Sequence, residues 1–211
     1  MKIIDLSHTL SPDMPVYPGT EQPIFVTGCS LEEDGFLEKK MTMYSHTGTH
    51  VDAPAHLIKD AKTLGQLGIN HFHGSALLLN FENANESKIE LSWLTAYEKK
   101  IAAIDFLLLH SGWSAYWGTE KYFSGFKTLT VEAAEWLNTF QLKGIGLDTI
   151  SADVPETDNY PIHKILLNKN TVIVENLTNL LSLPHSNFTF SCFPLKVENA
   201  DGSPVRAVAY V

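Results

Sequence analysis

Three runs in this chain, SALLLNFE (75–82), AIDFLLLH (103–110) and KGIGLD (143–148), are dominated by aliphatic residues and bounded by polar or turn-forming segments. Runs of that length are strands of the buried type rather than half-exposed ones. A fold built on them needs layers that cover the sheet. Further strands are expected at MKIIDL (1–6), PIFVTG (23–28), LEKKMTMYS (37–45), TVIVENL (171–177), FTFSCFPLKV (188–197) and SPVRAVAYV (203–211). TVEAAEWLNTF reads as a helix capped by Thr130, with Val131, Ala134 and Leu137 at helical spacing. LSWLTAYEKK and PIHKILLNKN are expected helices, the latter with Pro161 suited to a first turn. Scattered strands with few helices predict a mixed α/β (α+β) chain lacking the regular βαβ rhythm of a doubly wound fold. GIGLD lacks the third glycine and the following helix of a dinucleotide fingerprint.

With 211 residues, the chain is expected to form one domain over 1–211. Fifteen basic against 24 acidic residues give a net charge of −9, which argues against nucleic acid or an anionic membrane as partner. No apolar run approaches a membrane span. The start, MKIIDLSHTLSPDM, does not read as a signal peptide, so a cytoplasmic location is expected. The sequons at Asn85, Asn176 and Asn187 then carry no weight. Cys29 and Cys192 form no CxxC, which indicates neither a disulfide framework nor a thiolate metal site.

The densest chemistry lies in SHTGTHVDAPAH (45–56), which holds His46, His50 and His56 with Asp52 among them. A helix is excluded by Pro54 and by the direction Asp52 would take. On a straight strand His46 and His50 would stand about 13 Å apart, at ~3.3 Å per residue. Two ligands of one ion, each bonded at about 2.0–2.1 Å, must be much closer than that. The backbone therefore has to curl, and Gly48 is where it can. The expectation is a strand ending in a tight loop around a divalent ion, zinc first and manganese second. Such an ion brings the pKa of its water to roughly 7.

HTGTHVDAPAH resembles the signature of the cyclase-like metal hydrolases, a family that includes bacterial kynurenine formamidase and isatin hydrolase. The resemblance runs on through DLSHTLSPDMPVYPG, LLLHSGWSAYW, GLDTISAD, HKILLNKNTVIVENLTNL and PLKVENADGSPVRAVA. It implies a swivelling β/β/α fold with a central mixed sheet or barrel-like core and peripheral helices. It implies one ion on His46, His50 and Asp52, with His56 as acid/base. In two-metal members the aspartate matching Asp52 bridges to a second ion, held by residues matching His163 and Glu175. Isatin hydrolases are described as using one manganese ion. Homodimers or homotetramers are common in the family, with pocket residues sometimes supplied by a neighbouring subunit.

The implied reaction is hydrolysis of a carbon–nitrogen amide bond in a small molecule, with N-formyl-L-kynurenine giving kynurenine and formate as first candidate. Where formamidases typically read MPVWPGD this chain reads MPVYPGT, so Tyr17 keeps an aromatic surface and Thr20 drops an acid. LLHSGW replaces a commoner arginine-threonine version. Isatin or another cyclic amide or lactone is therefore the alternative substrate, and a non-catalytic metal- or ligand-binding protein a third reading. Tyr17 and Trp113 are the expected substrate contacts; Trp113 and Trp117 could equally be core. His8 is expected to hydrogen-bond near the site, His110 to line the pocket or the core, and His71, His73 and His185 to lie in loops.

Overall fold

The computed structural model covers residues 1–211 and describes all of them except 85, 86 and 185, so Asn85 and His185 lie outside the described residues. In chain order the strands are β1 (Ile3–Asp5), β2 (Ile24–Cys29), β3 (Glu38–Thr42), β4 (His50–Asp52), β5 (His73–Asn80) and β6 (Lys88–Ile89). They continue with β7 (Phe106–His110), β8 (Thr128–Leu129), β9 (Gly144–Leu147), β10 (Val172–Glu175), β11 (Phe188–Ser191), β12 (Gly202–Pro204) and β13 (Val208–Tyr210). A nine-stranded sheet has the order β1-β13-β11-β5-β7-β9-β10-β4-β12.

At its centre β5, β7, β9 and β10 are adjacent and parallel. Their connections carry the helices Leu91–Thr95 and Glu98–Ile101, then Val131–Leu137, then Pro161–Leu167. This is a local βαβ succession within a mixed sheet flanked by antiparallel strands, so the chain is mixed α/β as expected and not doubly wound. Its helices are only four to seven residues long, too short to stand out by periodicity. The apolar runs are continuous because both faces are covered. Leu77, Leu79, Leu107, Leu109, Ile145 and Ile173 face the helices, against Leu94, Leu137 and Ile162. Ala76, Phe106, Leu108 and Val174 face the other way, against Leu6, Val51 and Phe190.

That second face is covered by the sheet itself. β12 and β13 are seven inter-strand steps apart, which in a flat sheet would be roughly 34 Å at about 4.8 Å per step. Pro204 and Val208 are joined by a stretch that reaches at most about 14 Å. The sheet must therefore curl into a half-barrel. Thr178 N donates to Leu6 O at 3.0 Å, and Ser7 bridges to Leu177, fastening the β1 side to the end of β10. Inside the curl, a Cβ on Gly144 would stand 2.7 Å from Phe106 Cε1. The glycines of GIGLD make room for neighbouring side chains rather than for a phosphate.

Local signals hold in part. Thr130 Oγ1 accepts from Ala133 N at 3.1 Å and starts the helix Val131–Leu137, with Ala134 and Leu137 buried but Val131 exposed. LSWLTAYEKK splits in two because Tyr97, at φ −108° and ψ 9°, leaves helical geometry. SPVRAVAYV likewise divides between β12 and β13. Among the described residues β2 and β3 pair only with each other, outside the large sheet. Among the described residues no helix is long and apolar enough to cross a membrane.

Candidate metal centre

The histidine segment is built around one turn. Gly48 adopts φ +63°, and Leu10 fills the place a Cβ would need. Its carbonyl accepts from His50 Nδ1 and from Asn176 Nδ2, both at 2.8 Å. Thr49 Oγ1 donates to Asn176 O at 2.6 Å and accepts from His8 N at 2.9 Å. A strand, β3, precedes the curl as expected, and a second strand follows it, because β4 is the segment that pairs with β10 and β12. His50 and Asp52 share one face of β4, and Glu175 on β10 is the cross-strand partner of His50. The helix Pro161–Leu167 brings His163 to the same place.

The ligand-type atoms then converge. His46 Nδ1 lies 2.7 Å from Asp52 Oδ1, and His50 Nε2 lies 3.3 Å from the same oxygen. His50 Nε2 is also 3.5 Å from Glu175 Oε2. His163 Nε2 is 3.1 Å from Glu175 Oε1 and 3.8 Å from Asp52 Oδ2. Three overlapping groups are each compact enough to hold an ion: His46/His50/Asp52 and Asp52/His163/Glu175, which share the buried Asp52, and the more exposed His46/His56/Asp201. The hydrogen bonding fits that use. His50 donates Nδ1–H to Gly48 O, which leaves Nε2, facing two carboxylate oxygens, as the ring nitrogen that can take an ion. His163 is held in the same way: Asp153 Oδ2 sits 2.7 Å from Nδ1, leaving Nε2 inward. Two imidazoles with carboxylates suit a borderline divalent ion.

Electrostatics point in the same direction. Burial disfavours a charged His46, but the charge of Asp52 and hydrogen bonds to Asp52 and Asp201 push it up to about 9. Burial opposes a charged His163 as well, and Asp153 and Glu175 push it up to about 10. Burial would keep Asp52 neutral, yet His46 and His50 hold its carboxyl well below the usual range. Without an ion, protons balance the buried carboxylates. His56 lies outside the two groups that share Asp52 and belongs to the more exposed one with His46 and Asp201. Its ring centroid is 3.9 Å from that of His46, and 30% of the side chain is exposed, so it can exchange protons with solvent. Burial lowers its pKa; Asp52 opposes the shift, and His46 and His163 add to it.

The cluster lines a cavity of about 510 Å³ whose other walls include Tyr17, Thr20, Tyr44, Leu57, Ile150 and Tyr160. Tyr17 is thus in the pocket, with its phenol pushed up to about 12 by burial and by Tyr160. Trp113 is not among the lining residues, contrary to expectation. Its Nε1–H donates to Tyr122 O at 3.1 Å, its backbone N–H is held by Asp148, and its ring packs on Tyr116 and Phe126. The other histidines stand away from the chemistry. His8 stacks on Trp117 at 3.9 Å with its Nε2 buried without a partner, and it hydrogen-bonds near the site, as expected, through its backbone N–H to Thr49. His110 is buried beside Asp148, 3.1 Å away, outside the cavity lining.

Sequence reasoning missed Asp153, Asn176, Tyr160 and Asp201. Asp153, Asn176 and Asp201 lie in blocks already singled out, GLDTISAD, HKILLNKNTVIVENLTNL and PLKVENADGSPVRAVA, but no spacing rule ties them to a histidine. Tyr160 sits at φ +46° just before Pro161, a conformation costly for a bulky residue in that position. Only the fold shows it at the pocket wall.

The Cyclase family model matches residues 4–154. A kynurenine formamidase of Bacillus cereus is 30% identical over 209 residues, covering 97% of this chain and 95% of that protein. Isatin hydrolase A from Ralstonia solanacearum is 26% identical with a TM-score of 0.87, covering 99% of this chain and 91% of that one. An isatin hydrolase bound to the product analogue thioisatinate, 23% identical, superposes with a TM-score of 0.89 over 100% of this chain and 92% of that one, which shows the shared fold. The chain belongs to the cyclase family.

Proposed function

We propose that this protein is a metal-dependent hydrolase that cleaves the carbon–nitrogen bond of a small amide. One observation carries the reading: imidazole nitrogens and carboxylates converge on Asp52, while His56 stands beside them outside the two groups that share that residue. His46, His50 and Asp52 would hold one divalent ion, and Asp52, His163 and Glu175 a second. An ion there would supply a water with a pKa of roughly 7 and a positive charge to offset the negative charge developing on a carbonyl oxygen. His56, kept towards its neutral form by burial, takes the proton released as water attacks and returns it to the departing nitrogen. Tyr17, Tyr44 and Tyr160 supply flat walls for an aromatic amide.

The first substrate is an arylformamide of the N-formyl-L-kynurenine type, in line with the formamidase relatives. A cyclic amide such as isatin, or a lactone, is the second reading, and two features of the lining favour it. Thr20 occupies the wall where the formamidase pattern has an acid, and the described lining residues include no lysine or arginine to meet an amino-acid carboxylate. The deciding experiment supplies zinc- or manganese-loaded protein with N-formyl-L-kynurenine and with isatin, following formate release and ring opening. Chelator-sensitive turnover of either supports the hydrolase and chooses the substrate. Bound metal with no turnover across aryl amides, isatin and lactones would favour the non-catalytic reading.

A further inference from the structure

Each imidazole facing the centre has one nitrogen pinned from behind. For His50 the partner is Gly48 O, and for His163 it is Asp153. For His46 it is Asp201, whose Oδ2 lies 3.0 Å from Nε2. The same oxygen is 3.5 Å from His56 Nδ1. Asp201 is itself held in place. Ser45 Oγ donates to its Oδ1 at 3.1 Å, and its backbone carbonyl accepts from Ala53 N at 2.8 Å. The next residue has to be glycine, because a Cβ on Gly202 would stand 2.5 Å from His46 Cε1. The Asp201–Gly202 step is therefore shaped to the His46 ring.

We propose that Asp201 is a positioning residue that sets two imidazoles with one carboxylate oxygen. It accepts Nε2–H of His46, which turns Nδ1 towards Asp52 and the ion. It also faces Nδ1–H of His56, which leaves Nε2 free to carry the proton in hydrolysis. The longer of the two contacts is of the kind that tightens when a substrate closes a site. Loss of a carboxylate that orients a ligand histidine typically weakens metal binding by about 10–100-fold.

This inference rests on the metal-hydrolase reading, and its test separates the two. Chelator-stripped protein is titrated with Zn²⁺ in competition with a chromophoric chelator. Histidine tautomers of the zinc-loaded protein are read by ¹⁵N NMR. Wild type is expected to show His46 protonated at Nε2 and His56 at Nδ1. Asp201→Asn should mix the tautomers of His56 and weaken zinc binding by about 10–100-fold without changing the number of ions bound. A folded Asp201→Asn protein with unchanged affinity and tautomers overturns the proposal. So does the clean loss of one whole ion, which would make Asp201 a ligand. If the variant does not fold, wild type alone decides, since a His46 protonated at Nδ1 contradicts the assignment. Wild type that takes up no zinc refutes the underlying metal reading instead.

Discussion

Asp153 offers a sharp test of how the centre is held, because it serves a helix and a histidine together. Its Oδ1 accepts from Ile162 N at 3.0 Å, and its Oδ2 accepts from His163 N at 3.0 Å and lies 2.7 Å from His163 Nδ1. Tyr160 at the N-cap makes no side-chain cap, so Asp153 satisfies the first-turn N–H groups from a distance. In Asp153→Ala, losing the capping acceptor costs about 1 kcal/mol. Losing the charged partner of a buried imidazole costs a further 1.5–3 kcal/mol or so. The expected loss is about 3 kcal/mol, a large part of the roughly 5–15 kcal/mol of a typical domain. His163 is then free to change tautomer, and zinc affinity should fall by about 10–100-fold. Urea unfolding in the presence of chelator reads the first effect, and competitive zinc titration reads the second. A stability change below about 0.5 kcal/mol, the range of ordinary surface substitutions, with zinc affinity intact would refute the reasoning.

Other perturbations probe separate parts of the site. Gly48→Ala forces a Cβ into left-handed backbone and against Leu10; at least about 1–2 kcal/mol should be lost, visible as a lower melting temperature. His56→Ala should keep its metal and fold yet lose about 10²–10⁴-fold in amide turnover, with a smaller loss on a matched activated ester. Metal content and both rates check this, and a variant that loses metal would make His56 a ligand. His46 and His163, raised to about 9 and about 10, contribute stability to the metal-free protein that is fully present below pH 6.5 and fades as pH rises through those values. Zinc must displace those protons, so its affinity should climb across the same window, measured by melts with and without chelator and by titration. A zinc affinity that is flat with pH would contradict the assigned protonation.

Much of the centre was legible because it is local. Gly48 is where the chain had to bend for His46 and His50 to approach, and the bend is there. Of the residues carried over from the family resemblance, His163 and Glu175 come together on Asp52, both buried, one from the start of a helix and one from the end of a strand. The runs ending in Asn80, His110, Leu147 and Glu175 are the four parallel strands, and their unbroken apolarity reflects two covered faces. What lay hidden depends on closure. That SPVRAVAYV serves two distant positions in the sheet follows from the curl, which no local pattern encodes. Asp201 and Asp153 reach their histidines across 155 and 10 residues of chain. Trp113 looked like a pocket wall because it is aromatic, but Asp148 and Tyr122 O hold it in the neighbouring aromatic cluster.

The most direct test is the metal content of purified protein, by elemental analysis, for wild type beside Asp52→Ala. Asp52 faces His46 and His50 with one oxygen and His163 with the other, so it belongs to both of the groups that include buried residues. Wild type should carry at least one divalent ion per chain, two when both groups fill, and Asp52→Ala should lose all of it while remaining folded. Wild type that binds no metal, or an Asp52→Ala protein that retains the full complement, would contradict the account at its centre.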